Sequence, residues 1–143
     1  MNVTPAVDRT LVTWHRMVAQ RDMSALPGLL HPDAVFRSPA AFNPYQGVEA
    51  LTLILTTVLL EVFEDFTYHR ELASDDGRNV VLEFSAKVGG RDLKGIDMIR
   101  FDDHGKITDF EVMVRPASGL QALGETMGRK IGAQLAAFKK EGF

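Results

Sequence analysis

From Asn79 to Arg115 the hydrophobic pattern has a period of two, and this constrains the fold more than any other feature of the chain. Successive side chains of a strand point to opposite faces of its sheet. In "NVVLEFSAKV", Val80, Leu82, Phe84, Ala86 and Val88 fall on one face, and Val81, Glu83, Ser85 and Lys87 on the other. Gly89 and Gly90 are a hairpin signal. "GIDMIRF" continues a strand whose inner face carries Leu93, Gly95, Asp97, Ile99 and Phe101. "DDHG" turns the chain again, and "KITDFEVMVR" puts Thr108, Phe110, Val112 and Val114 inward with Ile107, Asp109, Glu111, Met113 and Arg115 outward. "FTYHRELAS", followed by the turn residues Asp75, Asp76 and Gly77, is a preceding strand with a less regular pattern. Four strands joined in succession by hairpins imply an antiparallel sheet with one face on the core.

Asp97 breaks this pattern, because it is the one carboxylate on an otherwise apolar strand face. A carboxyl among Ile99, Phe101, Phe84 and Phe110 is desolvated, which raises its pKa and equips it as a general acid or a tuned base. The competing explanation is a structural Asp held by a backbone amide, a Trp N–H or an Arg.

The remaining segments follow helical spacing. Thr4 is a good N-cap and Pro5 suits the first helical position. Val7, Leu11, Trp14 and Val18 then mark one helix face. A short helix is expected around Met23 to Leu30, and "HPDAVFRSPAAFNPYQG" reads as a short strand, with Ala34, Phe36 and Ser38 on one face, followed by a loop. The segment from Val48 to about Phe63 is apolar almost all round, as in a buried helix. Beyond Pro116 a final helix carries Leu120, Leu123, Met127, Ile131, Leu135 and Phe138 on one face. Gly124, Gly128, Gly132 and Ala136 form a second stripe, each Gly costing the helix roughly 1 kcal/mol relative to Ala. That stripe either admits another backbone at close range or leaves the helix frayed.

Composition limits the functions open to such a domain. A chain of 143 residues reads as one domain, residues 1–143, and a net charge of −3 makes no electrostatic case for nucleic acid or an anionic membrane. The absence of cysteine excludes disulfides, thiol nucleophiles and thiolate metal sites. The four histidines are scattered without ligand spacing, so no metal site is expected. Neither a signal-peptide pattern nor a span-length apolar run is visible, and a cytoplasmic protein is expected.

"HPDAVFRSPAAFNPYQGVEAL" resembles the strand–loop–helix of the nuclear transport factor 2-like superfamily, and "GIDMIRFDDHGKITDFEVMVRP" resembles its last hairpin. Within it the chain is similar to the SnoaL-like branch, which includes polyketide cyclase-like and ketosteroid isomerase-like proteins. The resemblance implies an α+β cone: a strongly curved antiparallel sheet wrapped around N-terminal helices, with a C-terminal helix and a pocket open at one end. Ketosteroid isomerases place a Tyr on the first helix, an Asp base on the first strand, and on a later strand an Asp that stays protonated. Those positions fall on Trp14, Ser38 and Asp97. Ser38 cannot take a proton as a carboxylate does, and Trp14 offers an indole N–H in place of a phenol. Isomerisation by those three residues is therefore excluded.

The expected site has Asp97 as acid or base. Trp14, Val18, Phe36, Ser38, Tyr45, Phe84, Ile99 and Phe110 bind the ligand, and Phe42 adds to the apolar lining. A small hydrophobic, oxygenated molecule suits such a pocket, and no cofactor is implied. His15 or His69 reaches the pocket edge, or neither does. The expected reaction is cofactor-independent proton transfer of isomerase, cyclase or dehydratase type. A non-catalytic ligand-binding protein or accessory subunit is the alternative. Ile96, Met98, Ile107 and Met113 among charges on the outer sheet face point to a homodimer.

Overall fold

The computed structural model describes residues 1–138. Helix α1 (Pro5–Gln20) starts where Thr4 accepts a hydrogen bond from the Val7 amide on its side-chain oxygen. A 3-10 turn at Leu26–Leu29 leads into strand β1 (Leu30–Arg37). A loop and the two-residue strand β2 (Tyr45–Gln46) precede helix α2 (Val48–Thr57). The helix widens into a π-helical turn over Val58–Val62, closed by the Phe63 amide donating to the Val58 carbonyl at 2.8 Å.

The period-two region forms β3 (Glu64–Ala73), β4 (Asn79–Val88), β5 (Arg91–Phe101) and β6 (Ile107–Arg115). Helix α3 (Ala117–Leu135) follows through a cis Arg115–Pro116 bond. The six strands form one sheet in the order β2-β1-β6-β5-β4-β3. Its β3–β6 meander is antiparallel, while β1 joins β6 in parallel, so the sheet is mixed. The result is the curved α+β cone with N-terminal helices and a C-terminal helix.

The alternation read from sequence sets the inner faces of β4 and β5. Val80, Leu82, Phe84, Ala86 and Val88 are buried, as are Leu93, Asp97, Ile99 and Phe101. Burying each large apolar side chain contributes roughly 1.5–3 kcal/mol. At the start of α3, Gly119 lets the helix approach β5: a Cβ there would stand 2.8 Å from Leu93 Cβ.

Register shifts break the alternation elsewhere. Phe101 pairs with Ile107 but Arg100 with Asp109, so Thr108 is an extra residue in β6. Such a bulge reverses the faces on its two sides. Ile107 is therefore only 1 % exposed and belongs to the core rather than to the outer face. In β3, shifts between Glu64 and Thr67 and between Tyr68 and Glu71 have the same effect. Tyr68 and Glu71, three residues apart, both reach α1: Trp14 bonds the first, and His15 pairs with the second at 2.7 Å.

Glu83 differs from the simple outward reading. It lies on the outer face but is buried under Arg70, whose Nε and Nη2 meet its two oxygens at 3.0 and 2.5 Å, with Lys94 at 3.2 Å. The Arg70 hydrogen bonds, chief among the causes, lower its pKa to about 2 against the opposing effect of burial.

Gly95 marks the tightest point of the sheet. A Cβ there would lie 2.5 Å from the Met113 carbonyl oxygen and 2.6 Å from Phe84 Cζ. Gly95→Ala is expected to destabilise the fold by about 1–3 kcal/mol, through overpacking against backbone. Urea unfolding of the variant checks this.

Candidate functional site

The inner sheet face, α2 and α3 do not meet completely. A cavity of about 250 Å³ remains between them. Its walls come from Phe36, the Ser38–Ala41 loop, the π-helical turn at Val58 and Leu59, Phe63 and Phe66, and the inner face of α3. The lining is mostly apolar, and Asp97 is its one carboxylate among the described residues. The π-helical turn closes over one more residue than an α-helical turn and widens the backbone where it borders the cavity.

Asp97 is 6 % exposed. Tyr68 donates its hydroxyl proton to Asp97 Oδ2 at 2.7 Å, and Trp14 Nε1–H donates to the Tyr68 oxygen at 3.0 Å. The three residues come from β5, β3 and α1. Each donor points toward the carboxyl, so the chain favours the ionised form. Oδ1 has no hydrogen-bond partner among the described residues. Burial pushes the Asp97 pKa up to about 7, with the Tyr68 hydrogen bond holding it lower than burial alone would. Burial also raises the Tyr68 phenol well above its ordinary range, and the Asp97 carboxylate adds to this. Tyr68 therefore stays a donor while Asp97 exchanges its proton near neutrality.

Of the residues expected at the site, Trp14, Phe36, Ser38, Tyr45, Asp97 and Phe110 line the cavity together. Val18, Phe84 and Ile99 do not. Val18 is half-buried against the core near the end of α1. Phe84 is covered by the rings of Phe63 and Phe66, at 5.5 and 5.1 Å. Ile99 lies two residues nearer the Asp102–Gly105 turn, which the start of α1 covers: Thr10 Oγ1 donates to the Gly105 carbonyl at 2.6 Å. Phe42, also expected in the lining, is 90 % exposed at the tip of its loop. Ser38 Oγ accepts from the Ala40 amide at 3.0 Å and so shapes its loop.

Sequence reasoning missed Tyr68 and Phe66. The only available signal was their aromatic character in "FTYHRELAS", and the two bulges of β3 hid which way they faced. His15 stacks edge-on against Tyr68 at 5.2 Å and pairs with Glu71 without lining the cavity. His69 lies on the opposite side of the strand, 2.7 Å from Ser85 Oγ. Among the described residues no group of three or more His, Asp or Glu is placed to hold a metal ion, and no helix is long and apolar enough to cross a membrane.

Known proteins place this architecture. Residues 11–110 match the SnoaL-like domain. The chain belongs to the SnoaL-like family. Among solved structures, it is similar to a protein from Pseudomonas aeruginosa described as a steroid delta-isomerase. The two are 65 % identical, with 95 % of this chain and 98 % of that one covered and a TM-score of 0.90. An uncharacterized protein with a cystatin-like fold from Silicibacter pomeroyi is 31 % identical, over 90 % of this chain and 91 % of that one, with a TM-score of 0.81. Rv0760c from Mycobacterium tuberculosis, solved with estradiol-17beta-hemisuccinate, shares the fold at 16 % identity, over 79 % of this SnoaL-like chain and 100 % of that one, with a TM-score of 0.61. No functionally curated protein matches the chain.

The raised pKa of Asp97 has a thermodynamic consequence. Below its ordinary value of 3.8 the group is protonated in both folded and unfolded chains, and it costs nothing. As pH rises toward 7 the unfolded chain ionises first, and folding loses stability by about 1.4 kcal/mol per unit, up to about 4 kcal/mol. Asp97→Asn is expected to remove this loss, so that it gains on the wild type between pH 4 and 7 in urea unfolding. Tyr68→Phe removes the bond that lowers the pKa, and should extend the loss to higher pH.

Proposed function

We propose that the cavity binds a small hydrophobic, oxygenated molecule and that Asp97 moves a proton within it. The observation that carries this reading is the state of Asp97. One oxygen is held by Tyr68, and the other has no partner among the described residues on the wall of an apolar hollow. With a pKa near 7, both protonation states are populated at neutral pH, which is where proton transfer in both directions is most effective. The carboxylate takes a proton from a carbon beside a carbonyl, and the resulting acid returns it elsewhere on the same molecule. The electrons stay in the substrate, so no cofactor is needed. Trp14, Ser38 and Tyr45 orient the substrate.

The 65 % identical relative described as a steroid delta-isomerase supports an isomerisation of this kind. Ser38 stands where ketosteroid isomerases carry their base, so here the proton moves through Asp97. A suitable probe is a steroid whose isolated ring double bond becomes conjugated with a ketone, followed by ultraviolet absorbance. Turnover is expected to rise with pH through a midpoint near 7. Asp97→Asn should lower it roughly 10²–10⁴-fold while leaving probe binding within a few-fold. Unchanged turnover in the variant would contradict the assignment.

One observation favours non-catalytic binding in the same cavity: among the described residues a single carboxylate lines it, with no second one to share acid and base roles. In that case Asp97, in its neutral form, donates a hydrogen bond to a ligand carbonyl. A probe recovered chemically unchanged with every candidate enone supports this second reading.

The chain also pairs with a second copy through the outer sheet face. Met98 and Met113 are exposed there beside half-buried Ile96, around the Arg70–Glu83–Lys94 cluster. Light scattering at micromolar concentration is expected to give twice the mass of the chain, and a monomer mass would overturn this.

A further inference from the structure

Tyr68 is held from several sides. Its hydroxyl bridges Trp14 and Asp97, and its ring meets Phe66 edge-on at 4.8 Å and His15 edge-on at 5.2 Å. His15 Nε2 in turn stands 2.7 Å from Glu71 Oε1. Trp14 and His15 are consecutive on α1, so one turn of that helix meets both the hydroxyl and the ring of the same tyrosine. The backbone of β3 is arranged for this contact. Residues three apart in a regular strand point to opposite faces. The register shift between Tyr68 and Glu71 puts both on the inner side, Tyr68 opposite Phe84 and Glu71 opposite Leu82. The strand thus interrupts its ladder and brings a carboxylate beside Tyr68. Stability does not account for this, because His15 and Glu71 are both 35 % exposed and an ion pair so placed adds little to folding. Neither residue lines the cavity, so contact with a ligand does not account for it either.

We propose that His15 and Glu71 are positioning residues for proton transfer: the pair fixes the Tyr68 ring from behind and sets how strongly its hydroxyl donates to Asp97. This rests on the role given to Asp97 above and adds the means by which that role is tuned. The Glu71 carboxylate opposes release of the Tyr68 proton and so weakens the phenol as a donor. His15, by pairing with that carboxylate, offsets part of its charge. Burial raises the Tyr68 phenol most, the Asp97 carboxylate from β5 next, and Glu71 from the tyrosine's own strand adds to both. From α1 the tyrosine meets Trp14 and His15, and from β4 Phe84 stands opposite it in the ladder. Asp97 responds to burial and to the Tyr68 hydrogen bond. A charge beside Tyr68 therefore reaches Asp97 through one hydroxyl.

The test follows the Asp97 carboxyl by carbon-13 NMR titration in two variants whose folding is checked by thermal unfolding. Glu71→Gln removes the charge and keeps an acceptor for His15, and it is expected to lower the Asp97 midpoint. His15→Phe keeps a ring edge on Tyr68 and frees the carboxylate, and it is expected to raise the midpoint. Each shift should be roughly 0.2–0.7 unit, the titration equivalent of a half-exposed charge pair. His15→Leu, which lacks both the ring edge and the pairing atom, should raise the midpoint at least as far as His15→Phe. In a Tyr68→Phe background neither Glu71→Gln nor His15→Phe should move it. Opposite signs separate tuning from damage, because loss of the α1–β3 contact alone would move both variants the same way. Shifts in one direction, or none, overturn the proposal and leave the reading of Asp97 standing, given a wild-type midpoint near 7. Shifts that persist without the Tyr68 hydroxyl also overturn it, since the pair would then act on Asp97 directly. A wild-type midpoint near 3.8 removes the reading of Asp97 and this inference together.

Discussion

The Tyr68–Asp97 hydrogen bond, with Trp14 behind it, is the constraint on which the rest of the site depends. A carboxyl enclosed by apolar side chains is costly to ionise, and one donor offsets only part of that cost. The partial compensation is what leaves the group poised. A second donor or an Arg partner would fix Asp97 as a permanent carboxylate, as happens at Glu83, where Arg70 and Lys94 hold the acid near pKa 2. Removing the donor would fix it as a neutral acid. The two buried carboxyls of this sheet, on opposite faces, thus show the same chemistry taken to opposite ends by their partners.

The hydrogen-bonded chain also requires a particular backbone. Trp14 on α1, Tyr68 on β3 and Asp97 on β5 converge because the sheet curls around the helix. Bulges in β3 and β6 contribute to that curl, since an extra residue bends and twists a strand. The bulge after Tyr68 brings His15 and Glu71 together on the side of Tyr68 away from the cavity lining. Phe63, Phe66 and Phe84 pack their rings together, and the first two line the cavity. Gly124, Gly128 and Gly132 of α3 border it too.

How much of this was legible in the chain depended on whether a strand kept its period. In β4 and β5 the alternation is unbroken over the length of the ladder, so their inner faces, including Asp97, follow from the sequence. The capped start of α1 follows for an equally local reason, the Thr4–Pro5 pair. Ile107 and Tyr68 were not legible, because a bulge is a tertiary decision that leaves no periodic trace and reverses every assignment beyond it. Phe84 and Ile99 face inward as expected, yet whether an inward side chain meets a neighbour or a void depends on where the helices cover the sheet. The glycine stripe was visible as a pattern, and the fold sets it along the cavity.

The central claim, a carboxyl poised by burial against one hydrogen bond, is open to direct measurement. Carbon-13 NMR of the side-chain carboxyl of Asp97, followed from pH 4 to 9, reports its protonation without any assumption about substrate. The account predicts a single titration with a midpoint near 7. A midpoint near the ordinary 3.8 would mean that the group is solvated or fully paired, and would contradict it.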